Sequence, residues 1–299
     1  MRKFIVSDLH GNGEVYNSII GYLENISLCE DVELYINGDL IDRGIDSFTM
    51  LMDVYERING KGNIKINYLG GNHELMMWQA LKERKPGKAV RRWCNWMCNG
   101  GWVVEGELDS REESLTNELF AFLGKLKIYH KFEEKVRDDN VLLVHAQAPK
   151  NIKEECHLKI SDDNEIIEKA VWTRKFDEFN RVTNLGKKGF LTITGHTPIV
   201  NGFAYYGDDN SFNIDGGCAA YANGAFEYDK VPLVEVKNNI LEIVIFNHNN
   251  EIVNGYIYDG ELYEMDNKYL NKKREFINHE YDGCMEKQKT LIKEILEIR

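Results

Sequence analysis

The sequence lacks long apolar runs, and it has only 4 prolines among 299 residues. No segment approaches the roughly 18 consecutive apolar residues that a membrane-spanning helix needs. Near the N-terminus, Asp8 interrupts the stretch Phe4–Ser7 before it reaches the length of a signal-peptide core. Because 43% of the residues are hydrophobic, the composition is that of a globular protein. We therefore expect a soluble protein with no membrane association and no export signal.

Regularly spaced cysteines are also missing. The 6 cysteines form no CxxC pair and no disulfide-like spacing, which favours a reducing, cytoplasmic location. Cys94 and Cys98 are spaced to share one face of a helix, but no second pair is present to complete a zinc site. We therefore predict that these two residues are buried thiols.

Positive charge is scarce, since 37 Lys and Arg residues face 49 Asp and Glu residues, and the formal net charge is -12. Nucleic acids are bound mainly through Lys and Arg contacts to the phosphate backbone. We therefore expect no nucleic-acid binding, and any chemistry on phosphate must rely on local positive charge.

The first part of the chain repeats a pattern of strand, polar loop and helix. Strands are predicted over Lys3–Ser7, Glu33–Asn37 and Ile64–Leu69, and helices over Glu14–Leu28 and Asp46–Ile58. This alternation predicts a layered α/β fold with parallel strands. Because active-site groups gather at the carboxyl ends of such strands, the polar loops are expected to converge.

The second half of the chain is rich in predicted strands. The strand Val141–Val144 runs directly into His145, and Leu191–Thr194 runs into Gly195 and His196. No repeat or low-complexity linker marks an internal boundary. We predict a catalytic domain over residues 1–264 and a charged helical extension, packed on it, over residues 265–299.

The loop between Gly38 and Gly44 concentrates charge, because it holds Asp39, Asp42 and Arg43. Such charges are costly to bury unpaired, so the loop requires both a cation and an anion. The other predicted strand ends add histidine, carboxylate and amide groups of the kind that bind Mn, Fe, Zn or Ni. These groups are too many for one ion with open positions, but they suit two ions that share a bridging carboxylate. The polar residues at the strand ends are Asp8, His10, Asp39, Asn72, His73, His145 and His196.

Taken in chain order, the motifs that contain these polar residues resemble the signature of the calcineurin-like metallophosphoesterases. Within that superfamily the chain is similar to the phosphoprotein phosphatases, the serine/threonine protein phosphatases, in their compact bacterial and phage form. The resemblance implies a four-layer α-β-β-α sandwich of two mixed sheets, with the site at the strand ends between its halves. The matching motifs are Asp8-x-His10-Gly11, Gly38-Asp39-x-x-Asp42-Arg43-Gly44, Gly71-Asn72-His73-Glu74, His145 and Gly195-His196-Thr197.

The resemblance also implies two divalent metal ions, with Mn²⁺ favoured and Fe, Zn or Ni as alternatives. A hydroxide activated by both ions would attack phosphorus directly, without a covalent phosphoenzyme. The implied ligands are Asp8 and His10 for the first ion, Asp39 as the bridge, and Asn72, His145 and His196 for the second.

The remaining motif residues carry implied roles toward the substrate. His73 would protonate the leaving oxygen, and Asp42 would orient its ring. Arg43 would bind phosphate oxygens through its planar guanidinium. Arg174 stands where bacterial relatives have a second phosphate-binding arginine, and Asn72 would also contact the substrate oxygen.

The expected substrate is phosphoserine or phosphothreonine on a protein, or a small phosphoester. The alternative is a nucleotide hydrolase such as a symmetrical diadenosine tetraphosphatase, since that enzyme group shares the metal scaffold. Those hydrolases tend to replace the second aspartate of the charged loop and to carry Asn-His-Asp, whereas this chain has Asp42 and Glu74. A non-catalytic scaffold is disfavoured because every ligand and the catalytic histidine are present.

The stretch Trp78–Trp102 is rich in tryptophan and methionine. It is predicted to be core or lid rather than a cofactor site. Its Asn99-Gly100-Gly101 resembles a segment that follows the Asn-His-Glu motif in bacterial phosphatases of this type.

Overall fold

The structure is a computed structural model that describes residues 1–83, 91–152, 157–174, 185–207, 209–249 and 251–258. These residues all belong to one compact unit. The predicted boundary at residue 264 and the extension over 265–299 lie outside the described residues. The strands are β1 Arg2–Val6, β2 Val32–Asn37, β3 Ile64–Leu69, β4 Tyr129–Val136, β5 Asp139–Val144, β6 Phe190–Thr194, β7 Ala204–Tyr206, β8 Ser211–Asn213, β9 Lys230–Val236, β10 Leu241–Asn247 and β11 Ile252–Tyr258.

The helices lie mainly between the strands of the first half, and those at Gly13–Ser27 and Ser47–Ile58 are found where the sequence pattern predicts helices. A kinked segment, Met97–Gly101, in which Gly100 has a φ of 97°, joins two other helices. The helices are α1 Gly13–Ser27, α2 Ser47–Ile58, α3 Asn72–Glu83, α4 Arg91–Trp96, α5 Trp102–Asp109, α6 Glu113–Gly124, α7 Glu165–Trp172 and α8 Cys218–Ala222. Helices α3, α4, α5 and α8 were not predicted, and the five residues of α8 are too few to establish a helical period. None of these helices combines the length and hydropathy of a membrane-spanning segment.

Two mixed sheets form the centre of the molecule. The first contains six strands in the order β11-β10-β9-β1-β2-β3, and the second contains five in the order β4-β5-β6-β8-β7. The strands β1, β2 and β3 are parallel to one another, and so are β5, β6 and β8. Because parallel strands end at the same edge of a sheet, the loops after these strands are brought together in each sheet.

The two sheets pack against each other through β2 and its neighbours. All six residues of β2 are buried, and the ring centroid of Tyr35 lies 4.8 Å from that of Phe132 on β4. The side-chain amide of Asn37 donates to the carbonyl of Val144 across the two sheets at 3.2 Å. Helices α1 and α2 pack on the first sheet, and near the end of β5 the backbone N–H of Ala146 donates to Ala170 of α7 at 2.8 Å. The predicted α/β sandwich of two mixed sheets is confirmed.

The prediction of buried thiols at Cys94 and Cys98 was wrong, because both residues are exposed. The spacing argument correctly placed them on one helix face, but that face is the outer one. Trp96 lies two residues from each, on the opposite face, and it is fully buried. The large apolar indole therefore decides which face of this segment points inward.

Candidate metal centre and active site

The residues predicted for the site stand directly after the parallel strands. Asp8 and His10 follow β1, the charged loop follows β2, and Asn72 and His73 begin α3 immediately after β3. The loops after β5 and β6 of the second sheet contribute the remaining histidines. The candidate ligands are all buried, and each is between 0% and 5% exposed. These residues are Asp8, His10, Asp39, Asn72, His145 and His196.

Left-handed backbone conformations concentrate in these loops. Residues other than glycine rarely adopt a positive φ, and such strain clusters at functional sites because the surrounding structure must enforce it. The strain here indicates that the loops hold their side chains in an imposed geometry. The positive φ angles are 56° at Asp8, 44° at His10, 50° at Asp39, 71° at Asp42, 73° at Arg43 and 67° at His196.

Asp39 lies between two groups of histidines. Its Oδ2 atom is 3.5 Å from Nε2 of His10 and 3.9 Å from Nε2 of His73. Its Oδ1 atom is 3.4 Å from Nε2 of His145. Two sets of possible metal ligands therefore share Asp39, one with His10 and His73 and the other with His145 and His196, and the donor atoms within each set lie within 4.8 Å of one another. Each set is a candidate site for one cation.

The unpaired atoms of the site fit a cation. Nε2 of His196 is buried and has no hydrogen-bond partner among the described residues, which by itself costs about 1–3 kcal/mol. Nearby, Oδ1 of Asn72 is 3.1 Å from Nε2 of His145. Imidazole, carboxylate and amide oxygen are the donors that divalent first-row metals accept, and neither set includes a cysteine from the described part of the chain. The residues present therefore fit divalent metal ions.

The carboxylates of the site are held at different pKa values. Burial raises the pKa of Asp8 to about 7, although the positive charge of His145 opposes it. Burial acts in the same direction on Asp39, but the charges of His145 and His73 outweigh it and hold the pKa of Asp39 well below its usual range. Asp39 is therefore ionised, which is the state that a carboxylate needs to bind a cation.

His145 balances this negative charge. Burial would lower its pKa, but Asp39 and Asp8 raise the pKa of His145 to about 10. A metal cation at this position would replace the proton, so binding is expected to release it. In contrast, burial holds the pKa of His10 and of His196 well below the usual value, with help from the charges of His73 and His145 respectively. These two imidazoles are neutral and have a lone pair available at neutral pH.

Asp42 belongs to neither set of possible metal ligands and pairs with His73. Nδ1 of His73 lies 2.7 Å from Oδ2 of Asp42, and both residues are fully buried. Burial raises the pKa of Asp42, while the hydrogen bond from His73 opposes this shift. Nε2 of His73 has no hydrogen-bond partner among the described residues. The pair thus leaves one ring nitrogen of His73 available toward Asp39.

Both predicted arginines lie at this site. Nη1 of the half-buried Arg43 is 3.3 Å from Nε2 of His10. The exposed Arg174, just after α7, donates from Nη2 to the carbonyl of His196 at 2.8 Å. The structure therefore brings together every site residue predicted from the motifs, including the arginine whose position rests on the weakest sequence match.

Glu74 has a structural role in the site that was not predicted. Its Oε2 atom accepts the backbone N–H groups of Gly71 at 2.8 Å and Asp39 at 2.9 Å. Its Oε1 atom accepts the N–H of Leu40 at 3.0 Å and the hydroxyl of Tyr68 at 2.6 Å. The signal in the sequence was an acidic residue before the apolar run of α3, with no cation beside it. A buried carboxylate of this kind has to find backbone donors.

We expect Glu74→Gln to destabilise the protein by about 3 kcal/mol, because buried hydrogen bonds to charged groups are the stronger ones. Each carboxylate oxygen accepts two hydrogen bonds, whereas the amide of glutamine must turn its NH₂ group toward one pair of donors. Urea unfolding monitored by tryptophan fluorescence measures the change. Tyr68→Phe, which removes one donor and leaves the carboxylate, should cost less. Equal midpoints for Glu74→Gln and the wild type would contradict this role.

The close approach of Asp39 also explains Gly71. A Cβ atom at Gly71 would lie 2.3 Å from Oδ1 of Asp39, which is far inside van der Waals contact. Only glycine leaves room for the carboxylate between the two loops. The glycine before the Asn72-His73 motif is therefore part of the geometry that places Asp39.

A two-sheet α/β sandwich with a buried His/Asp cluster at its strand ends defines a metal-dependent hydrolase class. Residues 1–249 match the model of the calcineurin-like phosphoesterases, and the chain belongs to this family of phosphoester hydrolases. Members normally use two divalent metal ions, and the two histidine groups around Asp39 are the candidate ligands. No curated protein matches the chain at a significant level.

Solved structures share the fold at low sequence identity. A cold-active protein-tyrosine phosphatase of the psychrophile Shewanella sp. has 14% identity, and the match covers 86% of this chain and 80% of that chain with a TM-score of 0.50. A second structure of a cold-active protein tyrosine phosphatase has 15% identity over 86% and 78% of the two chains, with a TM-score of 0.52. A protein serine/threonine phosphatase from Saccharomyces cerevisiae has 14% identity over 79% and 72%, with a TM-score of 0.46. At these identities the similarity to the first two structures shows the fold alone.

Proposed function

We propose that the chain is a serine/threonine protein phosphatase. The observation that carries this proposal is the buried hydrogen bond of 2.7 Å between Asp42 and His73, which leaves Nε2 of His73 available. The alkoxide of a serine or threonine side chain is a poor leaving group, so its departure requires a proton donor. When a dinucleotide polyphosphate is cleaved, the leaving group is a nucleoside phosphate, which is a stable anion and has less need of a proton donor. A carboxylate-supported histidine is therefore suited to a phosphomonoester of an alcohol.

The same proposal assigns metal ligands for two divalent ions. Two divalent ions, when bound, supply charge neutralisation on the phosphate and lower the pKa of water. We propose Mn²⁺, although the donor set also suits Fe, Zn or Ni. The first ion would be held by Asp8, His10 and Asp39, and the second by Asp39, Asn72, His145 and His196.

The protein residues then bind and protonate the substrate. Arg43 and Arg174 bind phosphate oxygens, and Asn72 contacts the substrate oxygen, so that phosphorus is oriented for attack by water. The new P–O bond forms to the water oxygen while the ester P–O bond breaks. Nε2 of His73 gives its proton to the leaving oxygen, and Asp42 holds Nδ1–H and so fixes the ring. The products are inorganic phosphate and the free hydroxyl side chain.

The proposed substrate is a phosphorylated protein or a small phosphoester in the cytoplasm. The cytoplasmic location rests on the scattered cysteines. The net charge of -12 disfavours a nucleic-acid partner.

The test compares substrates with one preparation of Mn²⁺-loaded protein. We expect kcat/KM on phosphoserine and phosphothreonine peptides to exceed that on diadenosine tetraphosphate by about 100-fold or more, a ratio typical of sites built around specific polar groups. Fast cleavage of the dinucleotide with none of the peptides would overturn the proposal in favour of a nucleotide hydrolase. A strong preference for a phosphotyrosine peptide would overturn the serine/threonine assignment. A metal-loaded protein that is inert on every substrate would indicate a scaffold.

A further inference from the structure

One residue of the tryptophan-rich segment contacts the carboxylate that supports His73. Trp96, the last residue of α4, is 0% exposed. Its indole Nε1–H group lies 2.9 Å from Oδ2 and 3.0 Å from Oδ1 of Asp42. The two residues are 54 positions apart in the chain, so this contact is created by packing and not by local sequence. The indole thus donates a hydrogen bond into a fully buried carboxylate.

Asp42 needs an external support because of its position. Its Oδ2 atom accepts from His73 and from Trp96, and Oδ1 is also within hydrogen-bond distance of the same indole. Its backbone has a φ of 71°, and that of Arg43 has a φ of 73°. Two successive residues in the left-handed region persist only where contacts from the surrounding structure hold them. The indole supplies the contact that defines where the carboxylate points.

The turn after Trp96 contributes to the same support. The carbonyl of Gly100 accepts the backbone N–H of Arg43 at 3.2 Å. A Cβ atom at Gly101 would lie 2.4 Å from Nε1 of Trp96, so this glycine leaves the space that the indole N–H group requires. The segment from Trp96 to Gly101 therefore holds both the side chain of Asp42 and the backbone of Arg43.

We propose that Trp96 is a positioning residue for proton transfer, because its indole N–H fixes Asp42 and Asp42 in turn fixes His73. This inference rests on the proposed function, in which His73 protonates the leaving oxygen. It goes beyond that function by assigning a role to a residue of the tryptophan-rich segment. Replacement of a tryptophan that only filled space would lower kcat for every substrate alike. Replacement of a positioning residue should lower kcat mainly for substrates whose leaving group needs a proton.

The test is the Trp96→Phe variant, which keeps an aromatic ring and removes the donor. With Mn²⁺-loaded protein, we expect kcat for phenyl phosphate to fall about 10- to 100-fold, at the lower end of what a general acid contributes. For p-nitrophenyl phosphate we expect a change of less than about threefold, because nitrophenolate leaves without a proton. KM should not change, since phosphate binding by Arg43 and the metal ions is retained.

Trp93→Phe is the matched control. Nε1 of Trp93 also donates to a carboxylate in the same part of the chain, at 3.1 Å from Oε1 of Glu105. Removal of this second indole–carboxylate hydrogen bond should leave the dependence of kcat on the leaving group as in the wild type. Metal content and thermal unfolding of both variants are measured alongside.

A double-mutant cycle with His73→Asn decides whether Trp96 acts through His73. If it does, Trp96→Phe has little further effect in the His73→Asn background. Should Trp96→Phe fail to fold, Gly101→Ala displaces the indole instead and should produce the same pattern on the two aryl phosphates. A wild-type leaving-group dependence in the variant, or an equal loss on both substrates, would overturn the inference. If His73→Asn itself leaves phenyl phosphate hydrolysis unchanged, the proposed function fails instead.

Discussion

Replacement of His73 by asparagine is expected to lower kcat on a phosphoserine peptide by about 10²- to 10⁴-fold, the usual contribution of a general acid. The side-chain NH₂ of asparagine can still donate a hydrogen bond to Asp42, but it cannot deliver a proton at neutral pH. The geometry supports this expectation, because Nδ1 of His73 is bound to Asp42 at 2.7 Å and Nε2 has no partner among the described residues. Steady-state kinetics with the peptide and with p-nitrophenyl phosphate measure the change.

The same experiment separates a proton donor from a metal ligand. His73 also lies in one of the two possible ligand sets, together with His10 and Asp39. A proton donor can be removed without loss of metal, so His73→Asn is expected to bind as much Mn²⁺ as the wild type. His157→Asn, at an exposed histidine, is the control and should retain full activity. Loss of one equivalent of Mn²⁺ in His73→Asn would show that His73 is a ligand and would contradict the proposed role.

Asp39→Asn is expected to have the largest effect on the metal centre. The carboxylate reaches His10 and His73 with Oδ2 and His145 with Oδ1. An amide has the same shape but no charge and only one oxygen donor, so it cannot bridge two cations. We expect Mn²⁺ affinity to weaken by about 100-fold or more, beyond the loss usual for outer-shell changes, and hydrolysis of aryl phosphates to fall below detection.

Equilibrium dialysis measures the number and affinity of bound Mn²⁺ ions without reference to activity. Asp53→Asn is the control, because Asp53 is an aspartate on α2 that pairs with Arg57 at 2.7 Å and lies outside the metal-binding groups. This control should bind Mn²⁺ like the wild type. Two ions bound to Asp39→Asn with wild-type affinity would contradict the bridging role of Asp39.

Much of the fold could be predicted because the local signals agree with the tertiary structure. The strand predicted over Ile64–Leu69 has the observed bounds, and the helix predicted over Glu14–Leu28 is found at Gly13–Ser27. Alternating strands and helices favour parallel strands, and parallel strands bring their polar loops to one edge. The convergence of Asp8 and Asp39 on the first sheet follows from that rule without knowledge of any distance, whereas His145 follows β5 of the second sheet and joins them only through the packing of the two sheets.

The errors and omissions have one physical origin. The helical period showed that Cys94 and Cys98 share a face, but the period cannot say which face meets the core. The same period could not show that the buried indole of Trp96 meets Asp42. Likewise, Glu74 was visible as an acid before an apolar run, but its donors come from two different loops.

The sequence by itself determined the ligand types, their order after the strands and the family of the fold, because these depend on residue identity and local periodicity. The motif resemblance already implied different roles for the two aspartates of one loop, and only the tertiary structure shows the contacts that separate them. Asp39 faces two groups of histidines, whereas Asp42 is turned toward His73 and Trp96. The partners of both carboxylates lie 29 or more positions away along the chain, so their directions depend on how strands and helices pack.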